Sequence, residues 1–223
     1  MRSSSEHQPP NHSTVKYSVF RDSDTEDVVR VLGRTFSRYD PPAVAAGLTS
    51  GDFEFFVRLF CPQAAADALS VVARTEATGE VLGALITEDS RASVQPEGMN
   101  RLSPNFAPIF DLLSGMDEEY RRGQAPAPGQ SLHLFLLGVA DFASGRGIGQ
   151  RLVATCLDLA ARKGYRMAVT EATSKASQQV FRKQGFSERV RRSYEDYRHQ
   201  GRAVFASIAA EGGPILMDRW LDL

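Results

Sequence analysis

Cysteine is scarce. Cys61 and Cys156 are the two thiols in 223 residues, and both fall in apolar helical patterns. Neither a disulfide scaffold nor a cysteine-based metal site fits, so both read as buried free thiols and no metal is expected. Long apolar runs are also missing. The longest, Leu132 to Ala140, has nine residues and is interrupted by His133, against the roughly 20 that a spanning helix needs. The polar start MRSSSEHQPPNHS has no apolar signal core. Charge of one sign is lacking as well: 26 basic against 27 acidic residues give a formal net charge of -1. There is no global electrostatic case for nucleic acid or an anionic membrane, and an anion would have to be held locally. The expectation is a cytoplasmic protein with neither nucleic-acid nor membrane partners. Oligomeric state, a homodimer included, stays open.

What is present is ordinary globular material, 42% hydrophobic and 24% charged, at a length that suits one domain with a tail or insertion. Residues 1–14 lack apolar periodicity and read as a disordered tail; residues 15–223 read as a single domain. VKYSVFR alternates as a strand, and Ser23-Asp24-Thr25-Glu26 has the form of a capping box with Ser23 as cap. Val28, Val31, Leu32 and Phe36 mark the helix that follows, which Pro41 ends near Tyr39, leaving Asp40 on a loop. A less regular helical stretch spans Ala43 to Phe60. Leu69–Arg74 and Val81–Thr87, joined by Ala77-Thr78-Gly79-Glu80, form a hairpin signature. Residues 89–130 are punctuated by Pro, Gly and Ser around a short acidic helical pattern, Phe110–Tyr120, and read as an insertion or lid.

The densest signal follows. LHLFLLGVA is apolar on both faces, as a central strand should be. It runs into Phe142-Ala143-Ser144-Gly145-Arg146-Gly147-Ile148-Gly149, where a helix opens with the buried stripe Ile148, Leu152, Cys156 and Leu159. Lys163-Gly164 ends that helix, and the strand RMAVTEAT comes next, so residues 132–172 form a strand, helix, strand unit with a parallel crossover. A helix over Lys175–Gln184 and strands over Phe186–Tyr194 and Ile215–Leu221 complete the chain. Gly145, Gly147 and Gly149 expose successive amides at a helix N-terminus, a place that suits pyrophosphate. A tight turn alone would also collect glycine. No Gly-Lys-Ser/Thr follows, and the third glycine of a dinucleotide fingerprint would fall on Gln150, so neither of those loops is present.

Ser-Gly-Arg-Gly-Ile-Gly-Gln-Arg-Leu after an apolar strand resembles the acyl-coenzyme-A motif of the GNAT superfamily of N-acetyltransferases, Arg/Gln-x-x-Gly-x-Gly/Ala, with Ser144 where Arg or Gln is usual. Thr170-Glu171-Ala172-Thr173, Ser177-Gln178-Gln179-Val180-Phe181, Gln184-Gly185-Phe186 and Tyr194-Glu195-Asp196-Tyr197 resemble the arylalkylamine and dopamine N-acetyltransferase branch. The close likeness covers about residues 132–205. It implies an α/β fold whose mixed, largely antiparallel sheet is flanked by helices and split at its centre. It also implies acetyl-CoA as acyl donor and a small primary amine as acceptor. The donor would pair with the strand at Leu137, Gly138 and Val139 as an added strand does. It would be held further by Ser144, Gly145, Arg146, Gly147, Ile148, Gly149, Gln150 and Ser174. A catalytically silent acyl-CoA-binding or sensing module and a protein-modifying acetyltransferase are the competing readings.

Direct transfer to an amine needs a base, and a donor for the leaving thiolate. Asp40 before Pro41 and Pro42 matches the acidic residue that serves as base in the dopamine branch, although a solvated loop aspartate or a helix cap would look the same. His133 resembles a histidine of the vertebrate enzymes and alternates with Phe135 and Leu137; a packed histidine is the competing view. Glu171 and ordered water are further options for the base. The superfamily's usual tyrosine acid is replaced by Phe181. The branch's pair of hydroxyls falls instead on Thr173 and Ser177, one turn apart at the positive end of a helix if Thr173 lies near the cap.

Overall fold

The β-branched and apolar runs read above become strands in a computed structural model that describes residues 14–90, 96–123 and 127–221. They are β1 (Val15–Val19), β2 (Val71–Thr75), β3 (Val81–Asp89), β4 (Ser131–Val139), β5 (Met167–Ala172), β6 (Ser187–Arg191) and β7 (Ile215–Trp220). One sheet joins them in the order β1-β2-β3-β4-β5-β7-β6. All neighbours are antiparallel except β4 and β5. The helices are α1 (Thr25–Tyr39), α2 (Pro41–Ala45), α3 (Ser50–Asp67), α4 (Ala107–Gly123), α5 (Ile148–Arg162) and α6 (Lys175–Lys183). Among the described residues none of them is long and apolar enough to cross a membrane.

The parallel pair decides the architecture. β4 and β5 are in register only over Ser131–His133 and Met167–Val169. Beyond His133, β4 continues along β3 while β5 follows β7, so the two strands part and the sheet is split at its centre. The Thr170 hydroxyl donates to the Leu134 carbonyl at 2.9 Å where the strands separate. A bulge lies just beyond this point: Ile86 faces Leu136 and Thr87 faces Leu134, which leaves Phe135 without a cross-strand partner. Leu132 and Leu134 therefore pack on the α5 side, Phe135 and Leu136 on the side of α1, α3 and α4, and Leu137 and Val139 on the α5 side again. His133, with its ring 5.2 Å from that of Phe135, does not share a face with Leu137 as simple alternation would have it.

Several boundaries differ from the sequence expectation for identifiable reasons. Residues 22–24 form a 3-10 turn before α1, so Ser23 is not the cap. The Asp24 carboxylate accepts the Arg21 amide at 3.0 Å and pairs with Arg74 at 2.8 Å. The stretch expected as one helix from Ala43 is two, broken where Gly47 turns left-handed at φ 71°; Thr49 and Asp52 then cap α3 reciprocally. The last charged strand shortens to β6. Residues 107–123 form a longer helix than the acidic pattern suggests. Phe106, Ile109, Leu112, Met116 and Tyr120 are buried at helical spacing, so this part of the segment is built into the core rather than laid over it. Burial pushes the Cys61 and Cys156 thiols up to about 11 and about 12, in keeping with inert packed side chains.

Candidate functional site

A cleft of about 1580 Å³ runs from the N-terminus of α5, through the split between β4 and β5, to a wall made by α1, α3 and α4. At one end stand the glycines. Gly145 and Gly147 have φ of 75° and 74°, the left-handed region that favours glycine. Gly147 caps α5 without a side-chain bond, so the first-turn amides of Ile148, Gly149 and Gln150 have no acceptor within the helix. Gly149 is different. A Cβ there would lie 3.8 Å from Val139 and Val180, an ordinary contact, so the fold itself does not require glycine at that position. Gly138 answers to packing: a Cβ on it would come 2.6 Å from the Leu32 side chain, and its bareness lets α1 approach β4. Leu137, Gly138 and Val139 line the cleft, as do Ser144 and Ser174; the Thr35 hydroxyl donates to the Val139 carbonyl at 3.3 Å. Arg146 is exposed on the loop. Open amides, left-handed glycines with open space at their missing Cβ positions, and an unpaired stretch of strand fit the pyrophosphate and pantetheine of a coenzyme-A thioester.

Asp40 sits in the middle of the cleft wall. It is the N-cap of α2, with prolines in the first turn, and its Oδ2 accepts the Ala43 amide at 3.1 Å. Its Oδ1 accepts the hydroxyl of Thr173, and the Tyr194 hydroxyl holds the Thr173 carbonyl at 2.8 Å. A helix-cap aspartate and a cleft carboxylate are thus one residue. Burial pushes its pKa up to about 6, with the Thr173 and Ala43 bonds pulling weakly the other way. The cap of α6 is Ser174, not Thr173. Ser177 shares a capping box with it: the Ser174 hydroxyl accepts the Ser177 amide at 3.1 Å, the Ser177 Oγ accepts the Ser174 amide at 3.2 Å, and that hydroxyl donates to the Ser174 carbonyl at 2.9 Å.

His133 lies where the strands part, between two carboxylates. Its Nδ1 is 2.9 Å from Glu88 and its Nε2 2.7 Å from Glu171. Burial alone would lower its pKa, but Glu171 and Glu88 outweigh it and raise the imidazole to about 10. Glu171 moves oppositely: burial would raise it, and the imidazolium brings it below the usual range. An imidazole already carrying its proton at neutral pH cannot take another. Glu88 is not legible in the sequence because the apolar run ends at Thr87; β3 continues to Asp89 and sets Glu88 opposite His133 in register. Sequence reasoning also misses the aromatic wall of Phe36, Phe53, Phe56, Phe60, Phe106, Phe110 and Phe135, whose neighbouring rings lie 4.8–6.1 Å apart. Its signal was a run of phenylalanines in α3 at helical spacing.

The same architecture recurs in known proteins. The C-terminal condensation domain of Ebony in complex with beta-alanyl-dopamine superposes with a TM-score of 0.85 at 17% identity, over 93% of this chain and 99% of that one. Arylalkylamine N-acetyltransferase 2 from Aedes aegypti gives 0.77 at 19%, covering 94% and 100%. The Drosophila melanogaster polyamine N-acetyltransferase gives 0.74 at 20%, covering 93% and 100%. At these identities the likeness is one of fold. No curated protein sequence matches the chain significantly. Residues 49–186, more than half of the chain and the part that carries the glycine loop and the split, match the acetyltransferase (GNAT) family, and the chain belongs to it as an acyltransferase.

Proposed function

We propose that the chain is a single N-acetyltransferase domain over residues 15–223 that transfers an acetyl group directly from acetyl-CoA to a small primary amine, with Asp40 as the base. One observation carries this reading: a buried carboxylate with a pKa of about 6 lines the same cleft as the open amides of α5. Near neutral pH such a group is ionised and still basic enough to accept a proton from the incoming amine. Acetyl-CoA supplies the activated thioester acyl group. Ile148, Gly149 and Gln150 hold its pyrophosphate by their amides, Leu137 to Val139 offer the strand edge, and Thr173 orients Asp40 through its hydroxyl. Ser177, at the positive end of α6, hydrogen-bonds the departing sulfur by giving up its bond to the Ser174 carbonyl. His133 serves as a charged wall residue rather than as base, because Glu88 and Glu171 hold its proton.

The aromatic wall favours a small acceptor over a protein chain. Release of free CoA thiol across an amine panel tests the reading. Because the Ebony domain is seen with beta-alanyl-dopamine, the donor panel includes beta-alanyl as well as acetyl thioesters. Asp40→Asn should lower turnover by ~10²- to 10⁴-fold, the range for loss of a general base, while calorimetric affinity for acetyl-CoA stays put. Near-normal turnover in that variant removes Asp40 as base. A parent chain that binds acetyl-CoA and acetylates no amine supports the silent module instead.

A further inference from the structure

The acceptor end of the cleft carries a charge imbalance. Glu88 and Glu171 flank one imidazole, each through a single oxygen, so even with His133 protonated one negative charge is left over. His133 and Glu171 are largely enclosed, at 15% and 12% side-chain exposure, and Glu88 is partly buried at 31%. Among the described residues the neighbouring charges do not correct this. Arg121 is near enough to lower Glu171, but it pairs with Asp117 at 2.5 Å and donates to the Ser90 carbonyl at 2.6 Å, so that pair adds no net charge. Asp89 accepts the Gly129 amide and the Tyr165 hydroxyl, and is itself acidic. A surplus negative charge in an enclosed site is costly unless a cation meets it.

Position adds the second argument. Glu171 lies in β5 and Thr173 just beyond its end, and Thr173 is the residue that holds Asp40. The base and both carboxylates line the same cleft. Aromatic rings stand beside the pair, with Phe60 and Phe135 at 4.8 Å and Phe135 5.2 Å from the His133 ring, and aromatic faces also favour a cation.

We propose that Glu88 and Glu171, held in place by His133, form the specificity site for the far end of the acceptor, selecting amines that carry a second positive charge, such as short diamines and aminoalkyl guanidines. This rests on the acetyltransferase reading of the cleft. One amine nitrogen meets Asp40 and is acetylated; the other cation completes the charge of the carboxylate pair.

The test compares kcat/KM for butane-1,4-diamine and for butylamine, which differ in the second ammonium. The parent should favour the diamine. Glu171→Gln and Glu88→Gln should each reduce the diamine-to-butylamine ratio about tenfold or more, the size of one charge-assisted hydrogen bond, with the loss in KM rather than in kcat. A structural role would move both amines together and leave the ratio unchanged; that result overturns the proposal. Should Glu171→Gln fail to fold, the more exposed Glu88 carries the comparison. A parent that acetylates both amines but prefers butylamine also overturns the proposal and leaves the acetyltransferase reading standing. A parent that releases no CoA thiol with any amine removes the acetyltransferase reading itself, and the specificity site with it.

Discussion

Asp40 and His133 are buried in the same cleft, and the groups facing them decide which way each is driven. Asp40 meets only a hydroxyl and an amide, so burial wins and its pKa rises from 3.8 to about 6. Folding then favours the protonated form: this contribution to stability is fully present below about pH 3.8 and is lost as the pH rises through 6. Asp40→Asn should therefore be more heat-stable than the parent at pH 8, by at most ~3 kcal/mol, with the gap about halved at pH 5. Thermal melts at the two pH values check this; a variant weaker at both would mean that the carboxylate stabilises the fold. His133 meets two carboxylates and is raised to about 10 against the pull of burial, so its contribution is complete below about pH 6.5 and persists until the pH nears 10. A ring-for-ring exchange looks mild from sequence. In the structure, His133→Phe strands Glu171 and Glu88 without their cation and should cost ~3–5 kcal/mol in urea unfolding at pH 7. A loss under 1 kcal/mol would show that solvent already satisfies the pair.

The α5 loop separates two kinds of glycine. Gly147 is left-handed and Gly149 is not, so the same substitution should act on different quantities at the two sites. Gly147→Ala strains the backbone by ~1 kcal/mol and should appear in the melting temperature. Gly149→Ala gains helix propensity, yet its methyl stands against Val139 of β4 and Val180 of α6 on the cleft lining, where the donor runs in the proposed complex. Stability should hold or rise while acetyl-CoA binds about tenfold or more weakly by calorimetry, a cost in line with overpacking. Unchanged affinity would move the donor off this path. These elements were legible because their signals are local: strand, glycines, stripe and Lys163-Gly164 follow one another within 33 residues. The α2–α3 break was also local but went unread, since Thr49 and Asp52 cap α3 across Ser-Gly, outside any apolar pattern. The Thr173–Asp40 bond could not be read at all. It joins residues 133 apart in the chain, and no periodicity encodes such a meeting.

At the scale of the molecule, the sheet is two halves joined along three residue pairs between β4 and β5, with Thr170 bracing the point where they separate. Alternation of apolar residues reveals each strand. It cannot reveal a bulge at Phe135, because one unpaired residue changes faces without changing composition. His133 and Phe135 lie on the acceptor side by plain alternation, and the bulge turns Leu137 and Val139 toward α5, so donor and acceptor surfaces come from one strand. A donor lying in the split would pair with β4 where β5 has left it, acting as a strand between the halves. Saturating acetyl-CoA at 100 times its dissociation constant should then stabilise the chain by about 2.7 kcal/mol. The accompanying hydrogen-exchange protection should be concentrated in residues 134–139 of β4 and in the first turn of α5, rather than spread over β1 to β3. Stabilisation without new protection in β4 would mean that the thioester is held by the α5 amides alone, and that the split does not bind its pantetheine arm.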